Sequence, residues 1–102
     1  MPDLDTRFAK SESFISRAVG NGTVLIPVGE TITDLDALYA LNEVGSRLWE
    51  LTDGEMTLKD LAARVAEEFG ISAEKAQQDV LAFIEQLRDI NAIQAVAIGG
   101  IV

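Results

Sequence analysis

The chain has 102 residues, of which 17 are Asp or Glu and 8 are Lys or Arg, and it contains neither Cys nor His; its formal net charge is −9. This composition excludes disulfides, thiolate nucleophiles, cysteine-based metal sites and histidine general bases. The negative charge also opposes binding to a phosphate backbone, which depends on Lys and Arg. With 48% apolar and 25% charged residues, the sequence is typical of one folded globular domain.

Residues 1–11 carry scattered charges, at Asp3, Asp5, Arg7 and Lys10, and no apolar run. They predict a flexible N-terminal extension rather than a secretory signal. No stretch of the chain approaches the roughly 18 consecutive apolar residues of a membrane span. We therefore expect a cytoplasmic protein without a membrane partner.

The next part of the chain favours β-structure. Two runs of β-favouring residues, 14–19 and 23–28, are separated by a glycine-rich turn. Asn21-Gly22 predicts a type I′ hairpin turn, which requires positive φ at both central residues. A polar, turn-rich stretch follows, and a short third strand is predicted at 38–41.

From Asn42 onward the apolar residues repeat with the helical period of 3.6. A first helix is predicted from Asn42, a good N-cap, to a stop at Asp53-Gly54. A second is predicted from Thr57, which opens an imperfect capping box, to Gly70.

A third helix is predicted from Ser72 to Ile90, with an apolar face along its length. Residues 93–102 are almost wholly apolar, which predicts a strand or a packed tail, since ten residues are too few to cross a bilayer. Within them, residues 98–102 form an apolar C-terminal tail.

Three strands followed by three helices predict an α+β, winged-helix-like domain over residues 12–97, in which a three-stranded antiparallel sheet precedes a three-helix bundle. That element order suggests DNA binding through the third helix. However, the exposed charges of this helix are mostly acidic: they are Glu74, Asp79, Glu85 and Asp89 against Lys75 and Arg88. This balance argues against a nucleic-acid partner.

Catalysis and metal binding have no support in the sequence. Glu67 and Glu68 are adjacent on a helix and point in different directions, so they are a solvated surface rather than an acid–base pair. Glu30, Asp34 and Asp36 lack the ligand spacing of a calcium loop, and the glycines match no phosphate-binding motif. We therefore predict a protein that is not an enzyme and has no catalytic residues, metal or cofactor.

A binding role remains, and the third strand is the candidate surface. A three-stranded sheet leaves edges whose N–H and C=O groups another extended chain can join. A peptide paired with residues 38–41 would rest its apolar side chains in a groove walled by the third helix. Alternatively, Leu38, Leu41, Phe83 and Leu87 are simply core residues, and the sequence leaves both interpretations open.

Several spaced motifs occur in an order that resembles the PqqD-like family, small peptide chaperones named after protein D of pyrroloquinoline quinone biosynthesis. These motifs are YALNEVG at 39–45, LWEL at 48–51, Asp53-Gly54, the helix 57–69, and the third-helix residues 79–87. The resemblance covers about residues 12–95 and is strongest over 39–93.

This resemblance implies a precursor-peptide recognition element. Such a domain binds the leader of a ribosomally made peptide and presents it to a modifying enzyme, often a radical S-adenosylmethionine enzyme. In the family the leader adds a strand to the sheet edge and packs against the third helix. Carried over by position, the peptide-binding residues are Leu38, Tyr39, Ala40, Leu41, Val80, Phe83, Ile84, Leu87 and Arg88.

Two alternatives stay open beside this hypothesis: a winged-helix DNA-binding regulator, and a structural subunit that forms a homodimer or larger oligomer through residues 98–102. For the peptide hypothesis, the charge of −9 predicts that a leader with Lys or Arg near its docking segment associates faster than an acidic one.

Overall fold

The computed structural model describes residues 4–28 and 39–96. Strands and helices are mixed along this part of the chain, as in an α+β domain. In chain order the elements are β1 (Arg7–Lys10), β2 (Phe14–Val19), β3 (Gly22–Pro27), β4 (Tyr39–Leu41), α1 (Glu43–Leu51), β5 (Asp53–Thr57), α2 (Leu58–Phe69), α3 (Ala73–Asp89) and β6 (Ile93–Ala95).

The strands form two antiparallel sheets of three strands each. One has the order β2-β3-β4 and is the sheet predicted from the sequence. The other has the order β5-β1-β6 and joins segments that are far apart in the sequence. The α+β class is confirmed, and the second sheet is an addition to the predicted architecture.

The β2-β3 hairpin forms as predicted, but its turn lies one residue earlier. Val19 pairs with Gly22, so the central residues are Gly20 and Asn21, and only Gly20 has positive φ, at +59°. The type I′ turn predicted at Asn21-Gly22 is therefore wrong, because a glycine in the first central position suits a type II′ turn. Gly22 serves a different purpose: a Cβ there would overlap the carbonyl oxygen of Leu41 in β4.

The three helices begin where their capping residues predict. Asn42, Thr57 and Ser72 are the N-caps of α1, α2 and α3. The capping box of α2 is complete, because the Thr57 hydroxyl accepts from the Asp60 N–H and the Asp60 carboxylate accepts from the Thr57 N–H. Gly70 ends α2 in the left-handed conformation, with φ of +63°.

The N-terminal segment differs from the sequence-based expectation of a flexible extension over residues 1–11. Arg7–Lys10 form the central strand of the second sheet, and Phe8 is only 2% exposed. The strand exists because distant segments supply its partners, Asp53–Thr57 on one side and Ile93–Ala95 on the other. Asp53-Gly54, predicted as the stop of the first helix, instead starts a strand, because α1 already ends at Leu51 with Thr52 as its C-cap. Residues 98–102 lie outside the described residues.

The helices pack on one another, and α1 also contacts β3 and β4, which fixes the first sheet against the bundle. The Thr23 hydroxyl of β3 forms a hydrogen bond with the Ser46 hydroxyl of α1. Over residues 4–28 and 39–96, no helix is both long and apolar enough to cross a membrane. The buried apolar core consists of Phe8, Leu25, Leu41, Leu48, Trp49, Leu58, Leu61, Ala62, Val65, Ala76, Val80, Phe83, Ile84, Leu87, Ala92 and Ile93.

Candidate functional site

Strand β4 lies at the edge of its sheet, with β3 on one side and no described strand on the other. Val24 lies opposite Ala40, and the flanking pairs join Leu41 and Tyr39 to residues 23 and 25 of β3. Successive residues of a strand point their N–H and C=O groups in opposite directions. The hydrogen-bonding pattern of the β2-β3 hairpin therefore determines which β4 residue has its N–H and C=O at the free edge.

Ala40 is the β4 residue whose backbone N–H and C=O face the free edge of the sheet. Val19 and Gly22 flank a two-residue turn and therefore share hydrogen bonds, so the backbone polar groups of Gly22 point toward β2. By alternation, those of Thr23 and Leu25 point toward β4. The N–H and C=O of Ala40 then point away from β3, toward the free edge.

A groove of about 470 Å³ opens beside this edge, between β4 and α1 on one side and α3 on the other. Leu41 of β4 and Phe83 of α3 are buried at 9% and 5% exposure and line it from below. Its described lining residues are Ala40, Leu41, Asn42, Val44, Gly45, Leu48, Ile71, Lys75, Asp79, Ala82, Phe83 and Gln86.

The peptide-binding residues predicted on β4 lie at this edge. Ala40 and Leu41 line the groove, and Tyr39 is 37% exposed beside them. Leu38, the first residue of the predicted set, lies outside the described residues.

The residues predicted on the third helix do not all lie at the groove. Phe83 lines the groove. Val80, Ile84 and Leu87 have 0% exposure and belong to the core that supports α3. Their side chains hold the helix in place, and a peptide in the groove would not touch them unless the core rearranged.

Arg88 lies on the other flank of α3, where a second cavity of about 730 Å³ opens. Its guanidinium carbon lies 5.7 Å from the centre of the Phe8 ring, a cation–π contact that joins α3 to β1. Ala82 lines both cavities and therefore marks the ridge between them. The second cavity does not adjoin the β4 edge, so its greater volume does not make it the better peptide site.

Sequence reasoning missed most of the groove wall. On α3 the wall is formed by residues that flank the buried stripe, Lys75, Asp79, Ala82 and Gln86. Their spacing of 4, 3 and 4 residues is the signal that marks one side of a helix. The α1 wall, residues 42–48, lies immediately after the edge strand, and its nearness to that strand was a usable signal.

Outside the groove, charged side chains hold α1 in place. Arg47 donates to both carboxylate oxygens of Glu68 on α2, at 2.7 and 2.9 Å, and these bonds lower the pKa of that carboxyl. Lys10 donates to the Thr52 carbonyl at 3.0 Å and lies 5.5 Å from the Trp49 ring centre. Burial lowers the Lys10 pKa, with a partly opposing effect from nearby carboxylates. These contacts stabilise the helix that forms one groove wall.

The sequence model of the family described as coenzyme PQQ synthesis protein D (PqqD) matches residues 22–93, well over half of the chain. The chain belongs to the PqqD family. The matched range begins at β3 and contains β4, all three helices and therefore every lining residue of the groove. The family resemblance inferred from the motifs is confirmed.

The PqqD fold is also seen in a solved structure described as TbiB1 in complex with the TbiA(beta) leader peptide. It matches with a TM-score of 0.68 and 17% sequence identity, covering 84% of this chain and 94% of that chain. At this identity the likeness establishes the fold. No curated protein sequence matches the chain.

Proposed function

We propose that this PqqD-family chain binds the leader segment of a ribosomally made precursor peptide and presents it to a modifying enzyme. The observation that carries the proposal is the β4 edge, where the Ala40 backbone points outward beside a groove with Leu41 and Phe83 in its lining. Edge strands of this kind bind extended peptides by adding them as a further strand. A protein of similar fold, TbiB1, is described in complex with a leader peptide.

The pairing of β4 and the position of the groove predict which side chains of an added strand would enter the groove. A peptide residue paired with Ala40 carries its side chain on the same outer face as Ala40 and Val24. Its two neighbours point to the opposite face, toward Leu41 and Phe83. The groove thus accepts two apolar side chains two positions apart, while the backbone gains hydrogen bonds at Ala40.

The second half of the proposal concerns the enzyme that uses the bound peptide. We propose a radical S-adenosylmethionine enzyme or another peptide-modifying enzyme as partner, with this chain taking no part in the chemistry. The groove lining supports a binding role, because its only charged members among the described residues are one lysine and one aspartate.

The charges of α3 favour a peptide over DNA. Lys75 is bound to Asp79 at 2.8 Å, and Arg88 is stacked on Phe8, so both cations of this helix are already engaged. A phosphate backbone would also be repelled by the net charge of −9.

The test is a titration of the ¹⁵N-labelled chain with the synthetic leader peptide encoded beside its gene. We expect saturable amide shifts at Tyr39–Leu41 and at Phe83, and much smaller shifts on β1 and β6, which do not line the groove. An absence of shifts at β4 at high micromolar peptide would overturn the proposal. Mass spectrometry of the peptide after incubation with the chain alone should find no change, whereas a modified peptide would refute the non-catalytic role.

A further inference from the structure

Among the described lining residues of the groove, charge occurs at one place, the end nearest the start of α3. The Lys75 ammonium donates to Asp79 Oδ1 at 2.8 Å, within the same helix. The other described lining residues are uncharged. Within the described lining, a peptide that enters the groove therefore meets charge at this end alone.

The two members of this ion pair are not equally placed. The Asp79 side chain is 25% exposed and lies against the groove wall, whereas the Lys75 side chain is 60% exposed and projects into solvent. Lys75 bonds to Oδ1, and no described residue donates to the second oxygen, Oδ2. The carboxylate is thus the fixed group, with an acceptor oxygen remaining for a ligand.

The pair is also weakly held for physical reasons. Lys75 precedes Asp79 by four residues, which is the less favourable order for an intrahelical ion pair. Lys75 also lies in the first turn of α3, where the helix dipole disfavours a cation. A second cation can therefore share or take over the carboxylate at little cost.

We infer that Asp79 selects leader segments carrying a Lys or Arg side chain, an inference that rests on the proposed function and names the peptide chemistry it requires. The incoming cation pairs with the Asp79 carboxylate that Lys75 occupies in the peptide-free chain. An acidic peptide residue gains nothing here, because binding Lys75 would leave Asp79 without its cation. The net charge of −9 attracts the same basic peptides over longer distances.

The spacing along α3 gives the position of the basic residue. Phe83 lies four residues after Asp79, which is about 6 Å along a helix axis. Groove-facing residues of a strand lie two positions apart, or about 6.6 Å. For a peptide that runs along α3, the basic residue is therefore two positions from the apolar residue above Phe83.

The test is a substitution scan of the synthetic leader peptide encoded beside the gene, in which each position is replaced in turn by Lys, Gln or Glu. With the unaltered chain, we expect one position at which Lys binds about 2- to 5-fold more tightly than Gln, the range for a partly exposed ion pair. Glu at that position should bind more weakly than Gln. A scan with no such position would overturn the inference.

Two variants then identify the group responsible. Asp79→Asn should remove the preference for Lys, so that the Lys and Gln peptides bind this variant equally well, and Lys75→Gln should raise the affinity of the Lys peptide. Glu85→Gln is the matched control, because it removes the same charge from an exposed α3 residue outside the groove, and it should keep the preference. A preference that persists in Asp79→Asn would refute the role of this residue.

The outcomes also separate this inference from the proposed function. A leader that fails to bind the unaltered chain contradicts the proposed function itself. A leader that binds with amide shifts at β4, but whose Lys, Gln and Glu versions bind equally, contradicts the selection by Asp79 alone.

Discussion

An Ala40→Pro substitution tests the hydrogen bonding at the free edge of β4 without removing a hydrogen bond between β3 and β4. The Ala40 N–H points away from β3, so its loss removes no bond of the β3-β4 ladder. Proline is tolerated on edge strands when its missing N–H faces outward, and the preceding residue, Tyr39, is already extended. We expect the free energy of unfolding to change by less than about 1 kcal/mol.

Peptide binding should respond more strongly than folding. One backbone hydrogen bond contributes about 0.5–1.5 kcal/mol net, so Ala40→Pro should raise the Kd for the leader peptide about 2- to 13-fold. Isothermal titration calorimetry measures this change, and urea unfolding measures stability. Ala40→Val keeps the N–H and should bind with nearly unaltered affinity.

Tyr39→Pro is the opposite case, because the Tyr39 N–H points toward Leu25 in β3. Leu25 has 0% exposure, so its carbonyl would be left without a partner in the interior. The free energy of unfolding should fall by about 1–3 kcal/mol. If Ala40→Pro destabilises the fold as much as Tyr39→Pro, or leaves the Kd unchanged, the assignment of the Ala40 N–H to the free edge is refuted.

Three further predictions concern the scaffold. Phe8→Ala should lower the free energy of unfolding by about 3–5 kcal/mol in urea, since Phe8 is 2% exposed, and a surface-like effect under 1 kcal/mol would contradict a structured β1. Thr57→Ala should cost about 1 kcal/mol through the lost α2 cap, whereas Thr57→Ser should retain it; equal losses would argue against the capping box. The Glu55 and Met56 N–H groups lower the pKa of Asp53, so its stabilisation is present above its unfolded pKa near 3.8 and is lost as pH falls toward the lower folded pKa. Asp53→Asn should therefore lose less stability than the unaltered chain between pH 5 and pH 3 in urea unfolding, and parallel pH profiles would refute this.

The elements predicted from the sequence are those whose signals are local. The α2 helix is specified by Thr57 and Asp60, which cap its start, and by Gly70, which ends it. Each of these residues acts on backbone groups within one helical turn of itself. The β2-β3 hairpin follows from its glycine-rich turn, although the pairing of Val19 with Gly22 moves the turn by one residue.

The second sheet was not predicted because its strands have no local signal. Arg7–Lys10 contain one buried apolar residue, and Asp53–Thr57 are mostly polar. Each becomes a strand only because the chain brings distant partners beside it, and Phe8 then fills a space between them and α3. Hydrophobic periodicity does not report pairing between segments more than 40 residues apart.

The candidate site was predicted only in part, because it also depends on contacts between segments that are distant in the sequence. The edge strand follows from its position in a three-stranded sheet, and Ala40 and Leu41 do line the groove. The α3 periodicity correctly indicates the buried face, but most of the α3 groove wall is formed by residues that flank this face. Assigning Val80 to the core and Asp79 to the groove requires the packing of α3 against α1 and α2, which the sequence alone does not give.

The sheet built around β1 has a consequence for how this chain can be joined to others. The Val96 N–H donates to the Arg7 carbonyl at 2.8 Å, so Val96 lies next to the first strand of the chain. Neither residue is among those that line the groove. A polypeptide attached next to either of these two residues would begin away from the described groove lining, and their closeness suits the insertion of this region into a larger protein.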